Sequence, residues 1–207
     1  RDLEYLRQEL AIAPDFNLLD SYKLFARSSH GMTTNEIRRG LNNLGMFPDE
    51  DEVTLLLKNY DLDFDGKLSF KEFADMIASE TPEHAMKLNE RTSNGTGNHS
   101  VPISVFSEHT CHLLCKVFRL ILTQESKIEI LRKKLKQTVS GLVHVFRAID
   151  VNRDGFLSID ELRHFFSVHG QSVWDEDLAF LIRRFDQSSD GTITTDEFYS
   201  EILPKAQ

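Results

Sequence analysis

The sequence predicts an all-α protein in which two helical lobes are joined by a flexible linker and a long amphipathic helix. Three observations lead to this class. A twelve-residue acidic pattern occurs three times, each copy lying between stretches whose apolar residues recur at helical spacing. The segment between the lobes turns polar and Gly-containing. Beyond it Leu114, Ile121, Ile128, Leu135, Leu142 and Ile149 recur every seven residues, as one face of a helix does. With 40% hydrophobic and 28% charged residues, the 207-residue chain can bury a core and is neither disordered throughout nor collagen-like.

In chain order, residues 1–14 are assigned to an N-terminal helical extension and residues 15–79 to the first lobe. There Leu18, Leu19, Tyr22 and Phe25 mark one helix, and Ile37, Leu41 and Leu44 mark the next. Residues 80–103 are the linker. Its Asn94-Gly95-Thr96 and Asn98-His99-Ser100 match glycosylation sequons and are taken as chance matches. Residues 104–140 form the long helix, where Val117, Leu131 and Val145 fill the companion position of the stripe and Gln124 and Thr138 do not. That seam is short for a coiled coil, and two uses stay open: packing on the chain's own lobes, or a surface for a partner. Its polar face carries Lys127, Arg132, Lys133, Lys134 and Lys136, expected to be a solvated face, an internal target or a contact for an acidic partner. Residues 141–207 are the second lobe. Leu142, Val145, Phe146 and Ile149 precede one acidic window and Leu162, Phe165 and Phe166 follow it. Leu178, Phe180, Leu181, Ile182 and Phe185 precede the next, and Phe198 and Ile202 follow.

The formal charge of -9 is localised. Windows 61–72, 150–161 and 186–197 hold twelve acids and three bases, and the other 171 residues carry 21 of each. Such focusing points to cation sites and argues against general nucleic-acid binding, which needs an electropositive face. No run approaches 18 apolar residues, so no transmembrane helix is expected. The two cysteines, Cys111 and Cys115, cannot build a disulfide framework and fit a reducing, cytoplasmic compartment. With His112 they lack a convincing fourth zinc ligand and are expected to be buried small residues. No nucleophile-base-acid constellation or phosphate-binding Gly loop is present, so no enzymatic activity is expected.

Aligned, the windows read Asp61, Asp63, Asp65, Gly66, Lys67, Leu68, Ser69, Glu72; Asp150, Asn152, Asp154, Gly155, Phe156, Leu157, Ser158, Glu161; and Asp186, Ser188, Asp190, Gly191, Thr192, Ile193, Thr194, Glu197. Oxygen side chains occupy positions 1, 3, 5, 9 and 12, with Gly at 6 and an aliphatic residue at 8. This is the spacing a hard cation needs: alternate residues point inward, Gly turns the chain, position 7 lends its carbonyl, and the last Glu supplies two oxygens. Positions 9 and 12 also form a capping box that starts the next helix. The chain is thereby identified as a member of the EF-hand superfamily, with two EF-hand-pair lobes.

Hands pair, so loop 61–72 needs a partner upstream. Residues 26–32, Ala26-Arg27-Ser28-Ser29-His30-Gly31-Met32, keep a Gly and an apolar residue but have Ala at position 1, and Glu36 arrives one residue early. The reading is a vestigial first hand, hence three Ca2+ sites, with Mg2+ a competitor and affinities in the sensor range of roughly 10⁻⁷ to 10⁻⁵ M. The arrangement resembles the calmodulin, troponin C and centrin group, which implies that calcium opens each lobe and bares an apolar groove for a partner helix. All four Met lie in the N-terminal half, and the second lobe relies on Phe, which favours one dedicated partner. The stretch 125–132 leading into Phe146 and Asp150 is similar to EF-hand proteins of protist cilia. The resemblance implies a calcium-responsive regulatory or structural subunit of a cytoskeletal, ciliary or axonemal assembly. The alternatives are a calcium buffer and the calcium-regulatory fragment of a larger enzyme.

Overall fold

The computed structural model describes residues 2–27, 30–91, 102–138 and 142–202. The expected sequons lie outside the described residues, as do Ser28 and Ser29 of the degenerate loop and residues 92–101 of the expected linker. The protein is all-α apart from one two-stranded ribbon, and it divides into two compact units, Arg1–Glu125 and Ser126–Gln207.

In the first unit α1 (Asp2–Ile12) precedes the four helices of a hand pair: α2 (Leu18–Phe25), α3 (Thr34–Asn43), α4 (Glu50–Tyr60) and α5 (Phe70–Ile77). After them come α6 (Pro82–Asn89), a 3-10 turn (Ile103–Val105) and the start of α7 (Glu108–Thr138). Local chemistry sets the starts. Capping boxes Thr33–Glu36, Asp49–Glu52 and Ser69–Glu72 each satisfy N–H groups that a helix leaves unpaired. Gly40 is required by a close approach, because a Cβ there would come within 2.0 Å of the Phe25 ring.

Helix α1 is bound into this unit. Leu10, Ala11 and Phe16 are fully buried, Arg7 Nη2 donates to Met76 O at 2.7 Å, and the Arg91 guanidinium donates to the carbonyls of Ala11, Ala13 and Phe16. The core centres on Phe25, Phe73 and Phe118, with ring centroids 5.1–6.4 Å apart. Phe118 belongs to α7, and its neighbours Leu114, Val117 and Ile121 are equally buried.

The second unit contains the end of α7, then α8 (Leu142–Ile149), β1 (Phe156–Leu157), α9 (Ile159–Val168), α10 (Asp175–Phe185), β2 (Ile193–Thr194) and α11 (Thr195–Ile202). β1 and β2 pair antiparallel with Leu157 opposite Ile193, the position-8 contact expected of paired loops. Its core joins Phe146, Phe165, Phe166, Phe185 and Phe198 to Ile128, Leu131 and Leu135 of α7, while Phe180 packs at the margin. Of the two uses left open for the stripe of α7, the structure has it packed on the chain's own hand pairs. Where Gln124 interrupts the seven-residue repeat, Glu125 takes the buried place, accepting a hydrogen bond from Asn59 Nδ2 at 2.6 Å.

Candidate metal centres

Each acidic window forms a loop between two helices, and the three loops share one backbone. Position 4 lies in the left-handed region in all of them (Phe64, Arg153 and Ser189, φ 60–62°), as does position 6 (Gly66, Gly155 and Gly191, φ 80–89°). A non-Gly residue rarely adopts positive φ; Phe64 does so with its ring largely exposed, so the hydrogen bonds of the loop rather than packing of the ring hold the bend. Two left-handed bends, two residues apart, turn the chain sharply enough for side chains at positions 1, 3 and 5 to converge.

The hydrogen bonds repeat in register. The position-1 carboxylate accepts from the position-6 N–H: Asp61 from Gly66 at 2.9 Å, Asp150 from Gly155 at 3.2 Å, Asp186 from Gly191 at 2.8 Å. The position-5 carboxylate accepts from the position-7 N–H: Asp65 from Lys67, Asp154 from Phe156, Asp190 from Thr192, all at 2.8–2.9 Å. Position 3 supports the same turn, with Asp63 and Asn152 accepting from the N–H of position 5 and Ser188 Oγ donating to Asp186 at 3.0 Å. The position-12 carboxylates receive both the N–H and the hydroxyl of position 9: Glu72 from Ser69, Glu161 from Ser158, Glu197 from Thr194.

Charge and burial make these loops candidate cation receptors. One carboxylate oxygen each from Asp61, Asp63 and Asp65 lies within 4.8 Å of the other two. Burial pushes Asp61 up, and Asp63 and Glu72 add to it against the N–H groups of Gly66 and Asp65. Burial alone would raise Glu72 as well, but hydrogen bonds from Ser69 and the Leu62 N–H outweigh it and keep the carboxyl below its ordinary value. Glu197 is held low by the Thr194 N–H, and Asp190 by the Thr192 hydroxyl. In loop 150–161, Asp150 Oδ1 and Glu161 Oε1 are buried and meet no hydrogen-bond donor among the described residues. Buried acceptors without donors are costly, and a bound cation would satisfy both ends of that loop at once. The donor set, all oxygen and rich in carboxylate, suits Ca2+ with Mg2+ as the smaller competitor.

The first hand keeps the frame without the same donors. Met32 pairs with Leu68 through two bonds of 2.8 Å, N–H to carbonyl in each direction. Glu36 is held as Glu72 is, accepting from the Thr33 N–H and hydroxyl and from the Arg27 N–H at 3.1 Å. Its early arrival in the sequence is a one-residue shortening: α2 ends at Phe25 just before Ala26, as α4 ends just before Asp61. The closing carboxylate is retained, and the opening position is a methyl group.

Several polar contacts of α7 escaped the sequence reading. The basic residues do not form one solvated face: Lys127 pairs with Asp177 at 2.8 Å, and Arg132 is buried against Glu201 at 2.8 Å. The signal available was Glu201 itself, an acid one turn beyond Glu197 on the apolar side of a helix that ends in buried Ile202. Cys115 Sγ donates to Leu44 O at 3.1 Å, and burial raises both cysteine thiols.

Two family profiles, each described as an EF-hand domain pair, match residues 28–80 and residues 140–203. Centrin-3 of Homo sapiens is 21% identical over 193 residues, covering 93% of this chain and 84% of centrin-3. Among the described residues no helix is long and apolar enough to cross a membrane. Paired hands in both units, carried on loops of one repeated geometry, agree with these matches: the chain belongs to the EF-hand superfamily and is a calcium-binding protein, centrin-like at low identity.

Proposed function

We propose that the chain is a non-enzymatic, calcium-responsive subunit of a larger protein assembly, with three Ca2+ sites at loops 61–72, 150–161 and 186–197. The ligands are the side chains at positions 1, 3, 5, 9 and 12 of each loop together with the carbonyls of Lys67, Phe156 and Thr192. Mg2+ competes at these sites, and the first hand supports its partner without taking a cation. The observation that carries the reading is the common loop geometry, with its repeated left-handed bends and register of hydrogen bonds. When bound, Ca2+ would supply the positive charge that offsets the clustered carboxylates.

The burial of the α7 stripe in both hand pairs favours a structural or regulatory subunit over a simple buffer, which has no use for a built-in helix. A dedicated partner in a cytoskeletal or ciliary assembly follows from the likeness to EF-hand proteins of protist cilia, and a cytoplasmic setting from the two free thiols. Calorimetric titration of the full chain with Ca2+ tests the sites. Three equivalents are expected, with one lost in each of Glu72→Gln, Glu161→Gln and Glu197→Gln. A stoichiometry of four, or one that ignores these substitutions, would overturn the assignment.

A further inference from the structure

The second hand pair buries a carboxylate within its apolar core. Glu201, on α11, is 5% exposed and sits one helical turn after Glu197, next to Phe198 and Ile202. Its charge is met by Arg132 of α7, itself 4% exposed, with Nη2 at 2.8 Å. Arg184 Nε lies 3.9 Å from the same carboxylate, Glu129 lies 3.6 Å from Arg132 Nη1, and the guanidinium stands 5.8 Å from the centre of the Phe185 ring. From the same stretch of α7, Lys127 pairs with Asp177 at 2.8 Å, and Ile128, Leu131 and Leu135 enter the apolar core.

Those three residues, spaced i, i+3 and i+7, would be matched by many amphipathic helices. The carboxylate would not. A buried ion pair adds little net stability over well-packed apolar groups, but removing one partner strands a charge and is strongly unfavourable. Its physical effect is selection: a helix with an apolar residue four places after its first anchor leaves Glu201 facing the core with its principal counter-charge gone.

We propose that Glu201 reserves the apolar face of the second hand pair for the chain's own α7, with Arg132 as the specificity-determining residue, and that this occupancy is tied to the calcium loop of the last hand through α11. The second half rests on the reading of Glu197 as a calcium ligand. Glu197 and Glu201 share one helix at i and i+4, and the docked α7 coexists with a loop 186–197 in which Asp186, Asp190 and Glu197 are held in register by the N–H groups of Gly191, Thr192 and Thr194. Docking and cation binding therefore favour the same conformation, and linkage makes the effect reciprocal.

The test is a double-mutant cycle on the full chain: wild type, Arg132→Met, Glu201→Met and the double variant, read by amide hydrogen exchange over residues 126–135 without Ca2+. Each single change should speed exchange roughly 10- to 100-fold, and the double variant should return to within a few-fold of wild type. Factors that simply multiply in the double variant would overturn the selection. Calorimetry of the same proteins gives a readout that packing alone would not move: Arg132→Met should weaken Ca2+ at the last hand about 5-fold or more, and unchanged or tighter binding would overturn the tie to the loop. Glu197→Gln separates the two readings. If it removes no Ca2+, the site assignment fails while the exchange cycle still decides the selection.

Discussion

Phe118 decides whether α7 is part of the first hand pair's core or a surface awaiting a partner. Its ring is 1% exposed and lies 5.1 Å from Phe25 and 6.4 Å from Phe73, the last residue of one helix and a first-turn residue of another. Phe118→Ala removes a buried ring and two aromatic contacts, a change that costs about 3–5 kcal/mol in a packed core. Against a typical domain stability of about 5–15 kcal/mol this is a large fraction, so urea unfolding of the full chain should show an early transition for the first unit. Phe118→Leu fills most of the space and should cost about 1–1.5 kcal/mol. Ile130→Ala, on the same helix but 54% exposed, should stay within about 0.5 kcal/mol of wild type. A loss below about 1 kcal/mol for Phe118→Ala would mean that α7 does not complete this core in solution, and the packing described for it would be wrong.

Other consequences follow from single contacts. Gly40→Ala drives a methyl group into the Phe25 ring and should lower stability by about 1–3 kcal/mol, measured by thermal unfolding. Burial alone would raise the carboxyls of Glu4 and Asp15, but Ser79 and the Glu80 N–H on one, and Ser107 and Thr110 on the other, hold both below their ordinary values. A depressed folded pKa contributes stability that is present above the unfolded value, roughly pH 4, and is lost as pH falls through the folded value. The Glu4→Gln, Asp15→Asn double variant should therefore unfold earlier in urea at pH 7 and show a shallower loss than wild type below about pH 4.

The hands were legible because their chemistry is local. Twelve consecutive residues carry the candidate ligands, the turn and the helix cap, so Asp61, Gly66, Ser69 and Glu72 announce a loop without help from the rest of the chain. The altered first loop was legible for the same reason, in its Ala26 at the opening position and its early Glu36. The contacts of α7 were not local. Arg132 reads as one cation among five until Glu201, 69 residues away, is placed beside it. Glu125, next to the break at Gln124, gives no sign of burial until Asn59 supplies its donor. Apolar periodicity told that one face of α7 is buried, but it is silent about what buries it, since a partner's groove and the chain's own lobe require the same stripe.

That ambiguity bears directly on the calcium response. In a hand pair whose apolar face is bare, opening exposes new surface for a partner helix. Here each pair already has α7 side chains in its core, Leu114, Val117, Phe118 and Ile121 in one and Ile128, Leu131 and Leu135 in the other. Cation binding that favours the docked form would consolidate these contacts. Adding saturating Ca2+ to the metal-free chain should therefore raise the unfolding temperature and slow exchange over residues 126–135, with little gain in fluorescence from a dye that reports exposed apolar surface. Arg132→Met should bind more dye than wild type in either condition, because its α7 is loosened. A strong calcium-dependent dye signal from the wild-type chain would mean that Ca2+ releases α7, and the sign of the coupling argued from Glu197 and Glu201 would be reversed.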